Sequence, residues 1–70
     1  MKLSARNHLK GVIKSIEEGL ITSKVLIDLG NGNEIISIIS KDAIKDLQLE
    51  VGKEAFAIIK STEVIVGVSE

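Results

Sequence analysis

The sequence predicts an all-β fold, a five-stranded barrel with one short helix between its third and fourth strands. Twelve isoleucines and six valines stand among the 70 residues, against one phenylalanine, one methionine and no tryptophan or tyrosine. β-Branched side chains fit pleated, half-buried surfaces better than helices. With no proline in the chain, its six glycines are the main turn signals. The segments they separate repeat their apolar residues every second position, except for one stretch where the period becomes helical.

Residues 7–16 (NHLKGVIKSI) form the first strand, with Leu9, Gly11 and Ile13 on one face and Lys10, Val12 and Lys14 on the other. A glycine inside a strand marks a bulge or a close backbone approach, so one is expected at Gly11. Glu17-Glu18-Gly19 reads as a turn. Residues 20–29 form the second strand, in which Val25, Ile27 and Leu29 alternate with Lys24, Leu26 and Asp28. Gly30-Asn31-Gly32-Asn33 carries the Asn-Gly hairpin signal, because both residue types tolerate positive φ. Residues 34–39 return as the third strand. Their stretch 35–39 (IISII) is apolar on both faces, which in so small a chain points to a subunit interface.

Residues 40–47 (SKDAIKDL) change period. Ser40 caps a helix of about two turns, Asp42 suits its positive N-terminus, and Ala43, Ile44 and Leu47 make an inward stripe. Val51-Gly52 turns the chain again. Residues 55–60 (AFAIIK) and 63–68 (EVIVGV), joined by Ser61-Thr62, are the fourth and fifth strands. Three strands, a helix and two strands is the element order of an OB-like barrel, whose helix plugs the gap between strands three and four.

Residues 1–70 are expected to form a single domain. A chain of this size buries only about 60% of its unfolded surface, so its isolated core is marginal. Disulfides, a metal or oligomerisation usually compensate. The sequence has no cysteine, and its one histidine, His8, cannot build a zinc site alone. Oligomerisation remains. Nine basic residues against ten acidic ones create no global field for a polyanion. No apolar run approaches the roughly 20 residues that span a bilayer, and Met1-Lys2-Leu3-Ser4 does not open a signal peptide. A cytoplasmic location is expected, with no membrane partner.

Catalysis lacks its usual parts. His8 has no triad context, the carboxylates Glu17, Glu18, Glu34, Asp46, Glu50 and Glu54 read as turn and exposed-face residues, and neither a P-loop nor GxGxxG occurs. The expectation is not an enzyme. OB folds that bind oligonucleotides stack bases on aromatic side chains, and here the only Phe, Tyr or Trp, Phe56, alternates with apolar neighbours like a core residue. Nucleic acid is therefore disfavoured.

What stands out is a set of anion-binding groups. Ser4-Ala5-Arg6-Asn7 holds the only arginine, flanked by a hydroxyl and an amide. Ser40-Lys41-Asp42-Ala43 offers a hydroxyl at a helix start, and Lys60-Ser61-Thr62 an ammonium with two hydroxyls after an apolar strand. A tetrahedral dianion needs many donors and one or two cations. Taken singly, each has a plainer explanation: a solvated arginine, an N-cap, an exposed lysine.

Their order and spacing resemble the molbindin family, the stand-alone form of the Mop or TOBE domain. The resemblance runs over residues 3–66. It is carried by Ser4-Ala5-Arg6-Asn7 with Leu9 and Gly11, by Ile38-Ile39-Ser40 before the short helix, by Leu47-x-Leu49-x-x-Gly52, and by Ala57-Ile58-Ile59-Lys60-Ser61-Thr62-x-Val64. It implies an OB-like barrel assembled as a symmetric homo-oligomer, a hexamer for stand-alone members. It also implies pockets between subunits that bind molybdate or tungstate for intracellular storage, buffering or homeostasis. By resemblance, Ser4, Arg6 and Lys60 match positions that contact the oxyanion. Ser40 and Lys41 fall where hydroxyl and backbone donors are contributed, and Ala5 and Ser61 add further donors. No side chain is expected to ligate the metal directly. Many members carry a serine where this chain has Ala43, so one hydroxyl is lost there. Three alternatives stay open: a nucleic-acid-binding OB module, a purely structural oligomer, and binding of a molybdenum pterin, for which the aromatic-poor chain offers little stacking surface.

Overall fold

The computed structural model describes residues 1–69. Its elements are β1 (Asn7–Glu18), β2 (Thr22–Gly30), β3 (Asn33–Ser40), α1 (Lys41–Asp46), β4 (Glu54–Ile59) and a 3-10 turn, Ser61–Glu63. The strands form one antiparallel sheet in the order β3-β2-β1-β4. β1 is long enough to serve two partners: residues 7–12 pair with β4 and residues 12–18 with β2. That division wraps the sheet into a curled half-barrel.

Asn31 and Gly32 both take positive φ, and Gly30 faces Asn33 across the turn, so the Asn-Gly hairpin joins β2 to β3 as expected. Asp28 Oδ1 accepts from the Gly30 N–H at 2.8 Å and fixes the entry to that turn. Gly11 is buried, and a Cβ there would lie 2.5 Å from the Asp28 carbonyl oxygen. The close approach is therefore real. The bulge lies elsewhere: the β1–β2 register slips between Ile13 and Ser15. The extra residue, Lys14, shifts the alternation so that Ile16 rather than Ser15 turns inward.

The core is small. Ile13, Val25, Ile27, Ile44 and Ala57 are buried, with Ile16, Leu29, Ile35, Ile39, Leu49 and Ala55 packed around them. Ser40 caps α1 by accepting from the Ala43 N–H at 3.1 Å. Ile44 faces inward as expected, but Leu47 does not: it is the C-cap and stays 61% exposed, because the chain turns there through Gln48 at positive φ. Leu49 packs on the core in its place, its N–H bonded to the Ile44 carbonyl.

The fifth strand is absent from the described residues. The chain leaves β4 through the 3-10 turn, and residues 64–69 join no ladder. Ile65 is 94% exposed. A strand needs a partner edge, and the turn at residues 61–63 does not fold this segment back on its own sheet.

Candidate functional site

β1 and β4 run antiparallel, and their last paired residues are Asn7 and Ile59. One step beyond that rung stand Arg6 on one side and Lys60 on the other. A shallow cleft of about 190 Å³ forms there, lined by Ser4, Ala5, Arg6, Lys60, Ser61 and Thr62. The ladder thus joins two segments more than fifty positions apart, and it does so within a single chain. Its lining residues carry a guanidinium, an ammonium and three hydroxyls, and none of them carries a carboxylate. Apart from half-buried Ala5, these residues are exposed. Arg6 contributes a planar fork of donors and Lys60 a mobile point charge. This inventory suits a small anion rich in acceptors.

Ser40 and Lys41 lie elsewhere. Ser40 closes the β2–β3 ladder opposite Thr22, beside the end of β1 at Glu18, whereas Arg6 precedes its start. The Ser40 Oγ is occupied as the helix cap, and the Lys41 N–H donates to the Ile21 carbonyl at 2.9 Å. Within one chain these two residues do not reach the Arg6–Lys60 cleft. Thr62, one of the anion-binding hydroxyls of the sequence but not among the residues assigned by resemblance, lines it as well.

Other charged groups stand apart. Lys14 donates to Glu34 Oε2 at 2.6 Å on the outer surface. That bond, with the attraction of the carboxylate, holds the Lys14 ammonium above its ordinary pKa. Among the described residues no group of three or more His, Cys, Asp or Glu is placed to hold a metal ion. Phe56, 43% exposed, lines a separate apolar groove with Ile13, Val25, Ile39 and Leu49. No helix is long and apolar enough to cross a membrane among those residues.

A curled OB-like sheet with a cationic, hydroxyl-lined cleft at one end defines a small β-module built for binding. Residues 3–66 match the TOBE domain, and the chain belongs to that family. It is 59% identical over 68 residues to a probable molybdenum-pterin-binding protein of Haemophilus influenzae, spanning 97% of this chain and 99% of the relative. Its fold is similar to that of a molybdate-binding protein from Sporomusa ovata, with a TM-score of 0.90, 35% identity and coverage of 97% and 100% of the two chains. It is also similar to the cytoplasmic molybdate-binding protein ModG with molybdate bound, with a TM-score of 0.92 and 43% identity, covering 99% of this chain and 49% of that one.

Proposed function

We propose that residues 1–70 act as a single non-enzymatic domain that binds molybdate or tungstate in the cytoplasm, for storage or buffering. The observation that carries this reading is the β1–β4 register, which brings Arg6 and Lys60 into one carboxylate-free cleft with Ser4, Ser61 and Thr62. Two similar solved proteins, both molybdate-binding and one with molybdate bound, support it. Ser4, Ala5, Arg6, Lys60 and Ser61 supply one half of the pocket. Ser40 and Lys41 of a second copy supply the other, in a homo-oligomer that we take to be a hexamer.

Enclosure by a second chain has a physical motive. A dianion loses several kcal/mol or more of hydration on burial, and only paired charges with dense hydrogen bonds recover it. Selectivity follows from size, the metal oxyanions being larger than sulfate, and from a lining that offers only donors. Partly protonated phosphate would present a proton with no acceptor to meet it. A pterin is less well served, because Phe56, the only Phe, Tyr or Trp in the chain, lines the apolar groove rather than the cleft. Neither nucleic acid nor membrane has a matching surface in this reading.

Isothermal titration of the folded oligomer with molybdate, tungstate, sulfate and phosphate tests the proposal. Heat of binding is expected from the first two and not from the others. Absence of binding by both metal oxyanions removes it.

A further inference from the structure

The hairpin between β2 and β3 carries chemistry that the binding cleft does not use. Its two turn residues, Asn31 and Gly32, are exposed and take φ 54° and 79°. The turn is open on both sides, since a Cβ added at Gly30 or at Gly32 would meet no atom within 4 Å. Among the described residues neither the Asn31 side chain nor the Gly32 N–H takes part in a hydrogen bond. The ladder closes behind them instead, with Gly30 opposite Asn33 and Asp28 opposite Glu34.

A side-chain amide carbon is an electrophile, and the backbone nitrogen of the next residue is the nucleophile nearest to it. Attack is easiest where no ladder holds that nitrogen and the next residue has no side chain to shield it. Of the three asparagines in the chain, only Asn31 is followed by glycine. Asn7 is half-buried opposite Ile59, and the residue after it, His8, is paired with Ile58. Asn33 is followed by Glu34, which lies within β3 opposite Asp28.

We propose that Asn31 is a site of spontaneous deamidation in the folded protein. The Gly32 nitrogen loses its proton to solvent and bonds to Asn31 Cγ, while the side-chain nitrogen leaves as ammonia. The product is a cyclic succinimide spanning the two residues. Water then opens either of its carbonyls, giving aspartate in one case and isoaspartate in the other. No oxidant, reductant or second protein takes part. Both products place a carboxylate in a hairpin that already carries Asp28 and Glu34. Isoaspartate does more, because it routes the main chain through the β-carbon and lengthens a turn of only two residues. Gly30 and Asn33 then lose their register, and the hairpin loosens from its tip.

The test ages the folded wild-type chain in mildly alkaline buffer. Peptides are followed by mass spectrometry, and isoaspartate is scored by an isoaspartate-specific methyltransferase. Asn31 is expected to change from amide to acid while Asn7 and Asn33 stay intact, and faster as pH rises. Absence of conversion at Asn31, or conversion of Asn7 or Asn33 at the same rate, overturns the proposal. Asn31→Gln is expected to abolish the conversion at this position, because the longer side chain closes a ring far less readily. Gln48 already holds φ 53° in this chain, so glutamine can take the turn's backbone. A variant that still forms acid there as fast as wild type also overturns it. In the isoaspartate fraction, amide hydrogen exchange is expected to quicken over residues 28–34. An unchanged pattern there overturns the structural consequence.

Discussion

Replacing Gly11 by alanine tests the fold where it is tightest. An added Cβ would sit 2.5 Å from the Asp28 carbonyl oxygen, 2.6 Å from Ile27 Cγ2 and 3.1 Å from Leu29 Cδ2. Carbon and oxygen approach no closer than about 3.3 Å even in weak hydrogen-bonded contacts, so β2 would have to retreat by about 0.8 Å. It cannot do so alone, because β2 is paired on both sides. Where a site has room, Gly→Ala stabilises by about 0.4–1 kcal/mol through the unfolded chain. Overpacking costs about 1–3 kcal/mol, and an obstacle made partly of backbone puts this case near the upper end. We expect a net loss of about 2–3 kcal/mol. For a domain of this size, that lowers Tm by about 10–20 °C. Far-UV circular dichroism melts at one fixed chain concentration measure it, since association makes Tm concentration-dependent. Gly11 also pairs with Ala55 on the ladder that ends at Asn7 and Ile59, so the variant should bind molybdate more weakly. A variant as stable as wild type, or more so, refutes the packing argument.

Arg6→Ala should weaken molybdate binding by about 2–5 kcal/mol if the anion is enclosed, measured by titration, with Lys60→Ala in the same direction. Ser40→Ala should lower stability by about 1 kcal/mol in urea unfolding, because the Ala43 N–H loses its cap. Ser23 is buried and its Oγ has no partner among the described residues, so Ser23→Ala should raise stability by about 1 kcal/mol in the same assay. The Lys14–Glu34 pair stabilises only while Lys14 is protonated. Its pKa is raised in the folded state, so its contribution is complete below about pH 10 and is lost as pH rises through the folded value. The Tm difference between wild type and Glu34→Gln should hold from pH 7 to about pH 10 and shrink above that window.

Much of this fold is written in local signals. Asn31-Gly32 sets a hairpin because it supplies two positive φ angles in succession, and Ser40 starts a helix because its Oγ meets an otherwise orphaned N–H. Gly11 announced a close approach because only a residue without Cβ fits there. Three features were not legible, each for a non-local reason. The slip at Lys14 is decided by how β1 changes partner from β4 to β2, which single-strand alternation does not encode. Leu47 fits a helical stripe, yet the turn at Gln48 ends the helix before that face matters. Residues 63–68 have strand composition, but composition says nothing about which edge, or whose, will receive them. At the site, the motifs Ser4-Ala5-Arg6 and Lys60-Ser61-Thr62 were each weak alone. The ladder that joins them in one chain, and leaves Ser40 and Lys41 outside, is a product of topology.

That topology sets a limit on what one chain can do. Arg6 and Lys60 are exposed, and opposite unit charges about 4 Å apart in water attract by only about 1 kcal/mol. Two such contacts and a few hydroxyls competing with water do not hold a dianion tightly. In the proposed oligomer, a second copy over the cleft would lower the local dielectric and strengthen each contact several-fold, while the β1–β4 ladder already fixes the backbone beneath both cations. In the proposed oligomer, an oxyanion held between two copies would favour the assembled state, and assembly would in turn raise affinity for the oxyanion by the same factor. On the proposed reading, binding strength is therefore a property of the assembly, with Arg6 and Lys60 as its contribution from each chain.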